Sequence, residues 1–259
     1  MTQLIEQLTT KTQIQGNHAT IQYLNYNPNQ NVATLEEVIV IAKTKTAQAT
    51  IDQTTINWLN NMGLNATQKT KETLHNQIAS DLNKDLINLI DNLYTKPKQS
   101  KAKSFLYWLT SSSPIFYIKS PQQLYNHIVS KNNHNRIFII LPPHLIYHLT
   151  SHPNFIYIDN ITTDDNNIQL IGHINSNTIF VNHAANQNYI QSGSIPTNIY
   201  FASTNPQISE EPTNPNQPTS TIQIKSKTIL HHIPQLNNNF YHFNATNKKQ
   251  PLYKKLLKL

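Results

Sequence analysis

The chain has 259 residues, 37% of them apolar and 13% charged, with a net charge of +7. That length supports one elaborate core or two lobes sharing a sheet, and the absence of cysteine excludes disulfides, thiolate metal sites and cysteine nucleophiles. The positive balance favours anionic partners such as DNA or acidic proteins. The first 16 residues lack the basic start and unbroken apolar stretch of a signal peptide. No window reaches the roughly 20 apolar residues of a membrane span.

Residues 1–31 are polar, with one amphipathic start and a turn cluster at 27–31 around Pro28, and they read as an arm rather than core. In the next run Val38, Val40 and Ala42 alternate with Ile39, Ile41 and Lys43, which predicts a strand over 37–46 as one side of a hairpin. The spacing of Ile51, Thr55, Trp58, Leu59 and Met62 predicts a helix over 50–61 that stops at Gly63, a residue suited to the left-handed position after a helix. Asn65 is placed to cap a second helix, with Gln68 reaching back to it. From there Leu74, Ile78, Leu82, Leu86 and Ile90 recur at helical spacing, which predicts a helix over 66–94 of about 43 Å. Its other side carries Lys71, Gln77, Asp81, Lys84 and Asn88, so it needs a partner on one side only.

A basic linker at 96–103 leads to short apolar runs at 105–109 and 115–118. A helix is expected from Pro121 through Tyr125, Ile128 and Val129. The run Ile137 to Leu141 is wholly apolar and predicts a buried central strand, ended by Pro142 and Pro143 before a helix restarts at Leu145, Ile146 and Leu149. Extended runs follow at 155–158, 168–174, 178–182, 189–191, 199–202 and 221–229, with Asn175-Ser176-Asn177 as a hairpin turn. Pro206, Pro212, Pro215 and Pro218 mark 204–220 as a loop. A short basic tail begins at Lys248. Helices followed by strands argue for an α+β class.

Twelve histidines invite metal or acid–base chemistry. His144 and His148 have the spacing of two ligands on one helical face, but Leu145 stands where the zinc-protease pattern needs Glu, and no third ligand is specified. His173 and His231-His232 show no spacing constraint. Asp164-Asp165 and Glu210-Glu211 fall in turn-rich stretches, where carboxylates cap or solvate. Four glycines do not make a phosphate-binding loop, and Ser192-Gly193-Ser194 lacks the strand–turn–helix context of a nucleophile elbow. Lys69, Lys71, Lys84, the 96–103 cluster and the tail lysines are dispersed without interleaved aromatics, as on a solvated or interface surface. No catalytic, cofactor-binding or metal-binding residues are assigned.

A collinear series of segments carries a resemblance. Ala42-Lys43-Thr44-Lys45-Thr46-Ala47, then Met62-Gly63-Leu64-Asn65-Ala66, then the helical stretch Thr73 to Leu86, are followed by the strand and small helix of 135–149. Leu170 to Asn182, Tyr189-Ile190-Gln191-Ser192-Gly193 and Ile199-Tyr200-Phe201-Ala202 complete the order. The series resembles the major capsid protein family of T-even-like tailed phages over residues 38–230. Gly63, Gly172 and Gly193 fall at family glycine positions, which suggests places where only glycine tolerates a positive φ. The chain is shorter than usual members, and His183 stands where the family has Pro.

The resemblance implies a Hong Kong-type capsid fold: an N-terminal arm at 1–36, an extended loop at 37–49, a peripheral lobe at 50–134 holding a spine helix at 66–94, a β-rich axial lobe at 135–230 and a C-terminal segment at 231–259. It implies a non-enzymatic homo-oligomer that forms hexameric and pentameric capsomers of an icosahedral shell in the host cytoplasm. Other virion proteins, a scaffold and packaged DNA, held by nonspecific electrostatics, would be its partners, with no membrane involved. Residues 1 to about 50 and the 204–220 loop would lie on neighbouring copies. A vertex, tail or decoration protein and a nucleic-acid-binding protein are the alternatives.

Overall fold

The computed structural model describes residues 3–27, 30–93, 115–132, 136–158, 168–184, 189–214, 217–233 and 240–246. In chain order these form α1 (Gln3–Leu8), β1 (Thr10–Lys11), β2 (His18–Asn27), β3 (Val32–Ile41), β4 (Lys43–Asp52), α2 (Gln53–Asn61) and α3 (Ala66–Leu93). Then come β5 (Ile115–Tyr117), α4 (Pro121–Lys131), β6 (Ile137–Leu141), a 3₁₀ turn (Pro143–Leu145), α5 (Ile146–Thr150), β7 (Phe155–Tyr157), β8 (Ile168–Ile174) and β9 (Asn177–Asn182). The last are β10 (Tyr189–Ser194), β11 (Ile199–Ser203), β12 (Gln207–Asn214), β13 (Gln217–His232) and β14 (Phe240–Thr246). The described residues divide into two compact units, one of 3–87 with 196–233 and one of 88–158 with 168–195 and 240–246. Where the sequence reading carried an axial lobe on to residue 230, the strands after Pro196 belong with the spine-helix unit, because β13 hydrogen-bonds to β4 along ten residue pairs.

In the first unit α3 lies on a sheet. The expected stripe is buried at Leu74, Ile78, Leu82 and Leu86. Asn65 Oδ1 accepts from the Gln68 N–H at 2.9 Å as the expected cap, but the Gln68 side chain turns forward to Glu72 Oε1 instead of closing a capping box. Strand β13 is the spine of the sheet: β4 runs along one edge, and β12 and β11 share the other. Alternation decides the two faces. Ile222, Ile224, Ala47 and Ile51 are buried on the face toward α3, where Lys45 pairs with Asp85 and Lys71 with Glu210.

Several sequence expectations are corrected here. The strand expected at 37–46 is two strands, since the chain leaves the β2 ladder at Ala42, whose N–H donates to Asn17 O. The helix expected from residue 50 starts at Gln53, because Thr50, Ile51 and Asp52 pair with Thr221, Ser220 and Thr219 of β13. The 204–220 loop is largely the β12–β13 hairpin. Proline is tolerated there because Pro206 precedes the strand and Pro212 sits in an edge strand beside a register shift. Glu210 and Glu211 therefore lie in a strand, not in a turn. The N-terminal arm is not outside the core: Leu4, Ile5 and Leu8 are buried, and β1 pairs in parallel with β11. An amphipathic turn with three large aliphatic residues finds an apolar cleft in its own unit.

Strands β2 and β3 make a separate hairpin, paired from His18↔Ile41 to Asn27↔Val32. Its inner side joins the core through Ala19, Val40 and Ala42 against Ala202 and Ile229, and through Ile21, Tyr23 and Val38 against Ile233 and Tyr200.

The second unit holds a seven-stranded sheet in the order β5-β14-β10-β6-β9-β8-β7. Central β6 is buried at all five positions, as its unbroken apolar run requires. Helices α4 and α5 bring Leu124, Tyr125, Ile128 and Leu149 onto one sheet face, against Ile139, Ile179 and other core residues. Helix α4 starts at Pro121 as expected, and Ser120 Oγ caps it by accepting from the Gln123 N–H at 3.2 Å. Asn175, at φ 54°, makes the expected β8–β9 turn.

Of the three glycines at family positions, one holds a positive φ. Gly63 does adopt a positive φ, 74°. Gly172 and Gly193 do not; they are glycines because a β-carbon would collide with the Ile156 carbonyl and the Phe155 ring at Gly172, and with the Phe138 and Phe240 rings at Gly193.

Candidate assembly surfaces

The outer side of the β2–β3 hairpin leaves four large aliphatic side chains uncovered among His18, Thr20, Gln22 and Glu37. Leu24 stands opposite Leu35 in the ladder, and Ile39 and Ile41 follow on the same side. Their exposures are 61%, 68%, 63% and 75%, in that order. Residues 38–41 read Val-Ile-Val-Ile, so both faces of β3 are apolar although only one meets a core in this chain. The charged residue on this outer side is Glu37, whose carboxylate accepts from Gln22 Nε2 at 3.2 Å.

Side-chain bonds on the other side stiffen the same hairpin. Glu36 accepts from Asn25 Nδ2 and from the Tyr23 hydroxyl, each at 2.7 Å. The Asn25 bond, and then that from Tyr23, holds the Glu36 carboxyl below its ordinary pKa, while accepting the Tyr23 proton pushes the phenol pKa up. The ribbon is thereby held in one register beyond the point where the core supports it.

Helix α2 is a second uncovered element. None of its residues is buried. Asp52 Oδ1 caps it by accepting from the Thr55 N–H at 2.6 Å. At the other end Gly63 N–H donates to Asn60 O and Leu64 N–H to Leu59 O, the paired bonds of a Schellman ending. That ending folds Leu64 back toward Leu59. Trp58 and Met62, one helical turn apart, are exposed together with Leu64. In the second unit Tyr147, Ile156 and Tyr157 are also exposed, the last two on the edge strand β7.

The sequence-selected chemical residues do not come together. His144 lies in the 3₁₀ turn and His148 in α5, so the i, i+4 geometry of one α-helix is broken between them. His173 is in β8, and His231 and His232 end β13. Burial holds both of the paired histidines below the ordinary imidazole pKa. Ser192, Gly193 and Ser194 are buried in β10. Among the described residues no three His, Asp or Glu side chains form a metal-holding group, and no helix is long and apolar enough to cross a membrane. Asp164-Asp165, the 96–103 linker, the 105–109 run, Pro215 and the tail from Lys248 lie outside the described residues.

Neither exposed apolar patch of the first unit was recognised from sequence. The available signal was the doubled apolar alternation of residues 38–41 and the uncharged sequence of α2.

No protein-family model matches the chain, and no curated protein matches it. Solved structures do. The chain is similar to the virus-like particle from Pyrococcus furiosus at 11% identity, over 94% of this chain and 92% of that one, with a TM-score of 0.53. It is similar to the head structure of Helicobacter pylori bacteriophage KHP40 at 8% identity, over 93% and 87%, with a TM-score of 0.54. It is similar to the cyanophage Pam1 capsid at 9% identity, over 93% and 89%, with a TM-score of 0.56. At these identities the likeness is one of fold: the chain has the Hong Kong-type capsid architecture of mixed helix and sheet.

Proposed function

We propose that this protein is the structural subunit of an icosahedral tailed-phage head, assembling with copies of itself as the major capsid protein. The observation that carries the reading is the hairpin: one side is core, while the other holds Leu24, Leu35, Ile39 and Ile41 in water. Large aliphatic side chains left in water on one face of a hairpin suit an interaction surface. Fully burying a side chain of this kind is worth about 1.5–3 kcal/mol, so four of them offset much of the entropy lost when one copy joins another. Repeated by symmetry, contacts of this size give cooperative closure. The fold shared with phage heads and a virus-like particle supports the same reading.

In this reading the spine-helix unit is the peripheral lobe and the seven-stranded unit the axial lobe. The protein catalyses nothing, assembles in the host cytoplasm and resides in the virion, in hexameric and pentameric capsomers with accessory virion proteins. Its net charge of +7 favours salt-dependent, nonspecific contact with packaged DNA. The narrower T-even-like assignment rests on the collinear segments of residues 38–230.

Electron microscopy of the protein expressed alone and with its neighbouring gene products tests the proposal. Closed shells or polyhead-like lattices are expected. Rings or tubes would move the protein to the tail, and a monomer that only binds DNA, with affinity falling steeply in salt, would make it a nucleic-acid-binding protein.

A further inference from the structure

We propose that the cavity between α3 and the turn joining β11 to β12 binds an uncharged amphiphile, an apolar body of about two fused rings carrying one hydroxyl. The site lies within the first unit and is separate from the shell-subunit reading.

The gap follows from residue size. Along α3 the stripe Leu74, Ile78 and Leu82 is buried, but Ala79 beside it ends in a single methyl. On the sheet, Ser226 continues the buried row of Ile222 and Ile224 with a much smaller side chain, and the neighbouring Ser203 of β11 is small too. Small residues from helix and sheet thus border one partly open cavity of about 300 Å³. That is about twice the ~150 Å³ cavity that takes one benzene ring, and too large for a packing defect in a well-packed interior.

The lining sets the chemistry of the occupant. Ile5 of α1, Ile78, Leu82 and Phe201 give apolar walls. Among the described residues no Lys, Arg, Asp or Glu lines the cavity, so a carboxylate or phosphate would lose its water without gaining a cation. The polar lining has room for one more partner. Ser226, only 5% exposed, donates from Oγ to Thr204 O at 3.0 Å. Ser203 Oγ lies 3.1 Å from the same carbonyl and 3.1 Å from Ser226 Oγ. The two serine protons are therefore spent on Thr204 O and on each other, which leaves the oxygens as acceptors. His75 also lines the cavity and makes no hydrogen bond or ion pair among the described residues. A ligand hydroxyl completes both: it gives its proton to a serine oxygen and accepts the imidazole N–H. Its apolar body replaces water against Ile5, Leu82 and Phe201, so occupancy ties α1 and α3 to the sheet.

Naphthol is the probe, titrated calorimetrically into the dissociated full-length subunit at neutral pH. One site per chain is expected. Naphthalene, which lacks the hydroxyl, and naphthoate, which adds a charge, should each bind at least about tenfold more weakly. His75→Leu should cost naphthol about tenfold in affinity and leave naphthalene unchanged, while His75→Gln, which keeps an N–H, should retain most of the naphthol affinity. Ala79→Phe should abolish binding by filling the cavity. Should that variant fail to fold, Ser203→Leu, at an exposed position, should block the cavity from the sheet side. Amide exchange should slow with naphthol at residues 75–82 and 203–206 and stay unchanged in the second unit. No saturable binding, naphthol no tighter than naphthalene, binding that survives the filling substitutions, or protection confined to other segments would each overturn the inference. None of these outcomes bears on shell formation, which electron microscopy reads separately.

Discussion

Gly193 stands directly across from Phe138 in the β10–β6 ladder, and a β-carbon there would lie 2.7 Å from the Phe138 ring. On the other side of β10 it faces Phe240, whose ring would be 2.8 Å away. The glycine lets two phenylalanines from the flanking strands close over the middle strand, their ring centroids 6.2 Å apart at a 53° tilt. A missing side chain is thus part of the packing of this sheet.

Gly193→Ala should destabilise the second unit by about 1–3 kcal/mol, the usual cost of overpacking. Chemical denaturation of the two chains measures it. Adding Phe240→Leu should make the alanine less costly than it is in the wild-type background; equal costs in the two backgrounds would show that the rings are not the obstacle.

Leu35→Asp and Ile39→Asp should abolish shell formation while leaving the thermal midpoint of the dissociated subunit nearly unchanged, since both side chains point away from the chain's own core. Electron microscopy and calorimetry read the two effects. Deleting residues 1–30 is a worse test: it removes Leu4, Ile5 and Leu8 from the core and β1 and β2 from their ladders, so lost assembly would reflect lost folding.

The Glu36 cluster gives the hairpin an acid limit. The carboxyl is held below its unfolded pKa, first by Asn25 and then by Tyr23. Its contribution is therefore fully present above the ordinary carboxylate pKa of about 4.3 and is lost as pH falls through the lower folded value. Amide exchange across β2–β3 should quicken below pH about 4 relative to the rest of the unit. Glu36→Gln should remove that pH dependence, and a profile unchanged by the substitution would contradict the assignment.

His231 and His232 set a second window. Burial holds both below the ordinary imidazole pKa of 6.5, with each other's proximity adding to the effect at His232. The neutral forms are favoured in the folded chain, so stability is full above the unfolded pKa and declines as pH falls from about 6.5 toward the folded values. Thermal melts between about pH 7 and about pH 5, which bracket the reference pKa of about 6.5, should show a falling midpoint in the wild type. The fall should be smaller in His232→Gln.

Much of the local structure was legible because it depends on neighbours in sequence. The stripe Leu74, Ile78, Leu82, Leu86 shows the buried side of α3, Asn65 its start, Pro121 the start of α4 and Ile137 to Leu141 the central strand. These are short-range effects of spacing, capping and β-branching. Readings failed where a distant strand competed: residues 50–52 have helical spacing but β13 takes them into a ladder, and 204–220 has the composition of a loop but gains a hairpin partner from 217 onward. Gly172 and Gly193 were rightly marked as special positions but for the wrong reason, since crowding by Phe155, Phe138 and Phe240 is a tertiary fact.

By itself, the sequence determined the α+β class, the long helix, the buried central strand and the absence of thiol chemistry, all set by residue type and by periods shorter than a few turns. Tertiary structure alone decided that the N-terminal helix belongs to the core and that the last long strand joins the spine-helix unit. It also decided which apolar faces are left over. Val38, Ile39, Val40 and Ile41 are nearly the same in chemistry, and only the sheet that covers one side of β3 distinguishes core residues from a surface awaiting another copy.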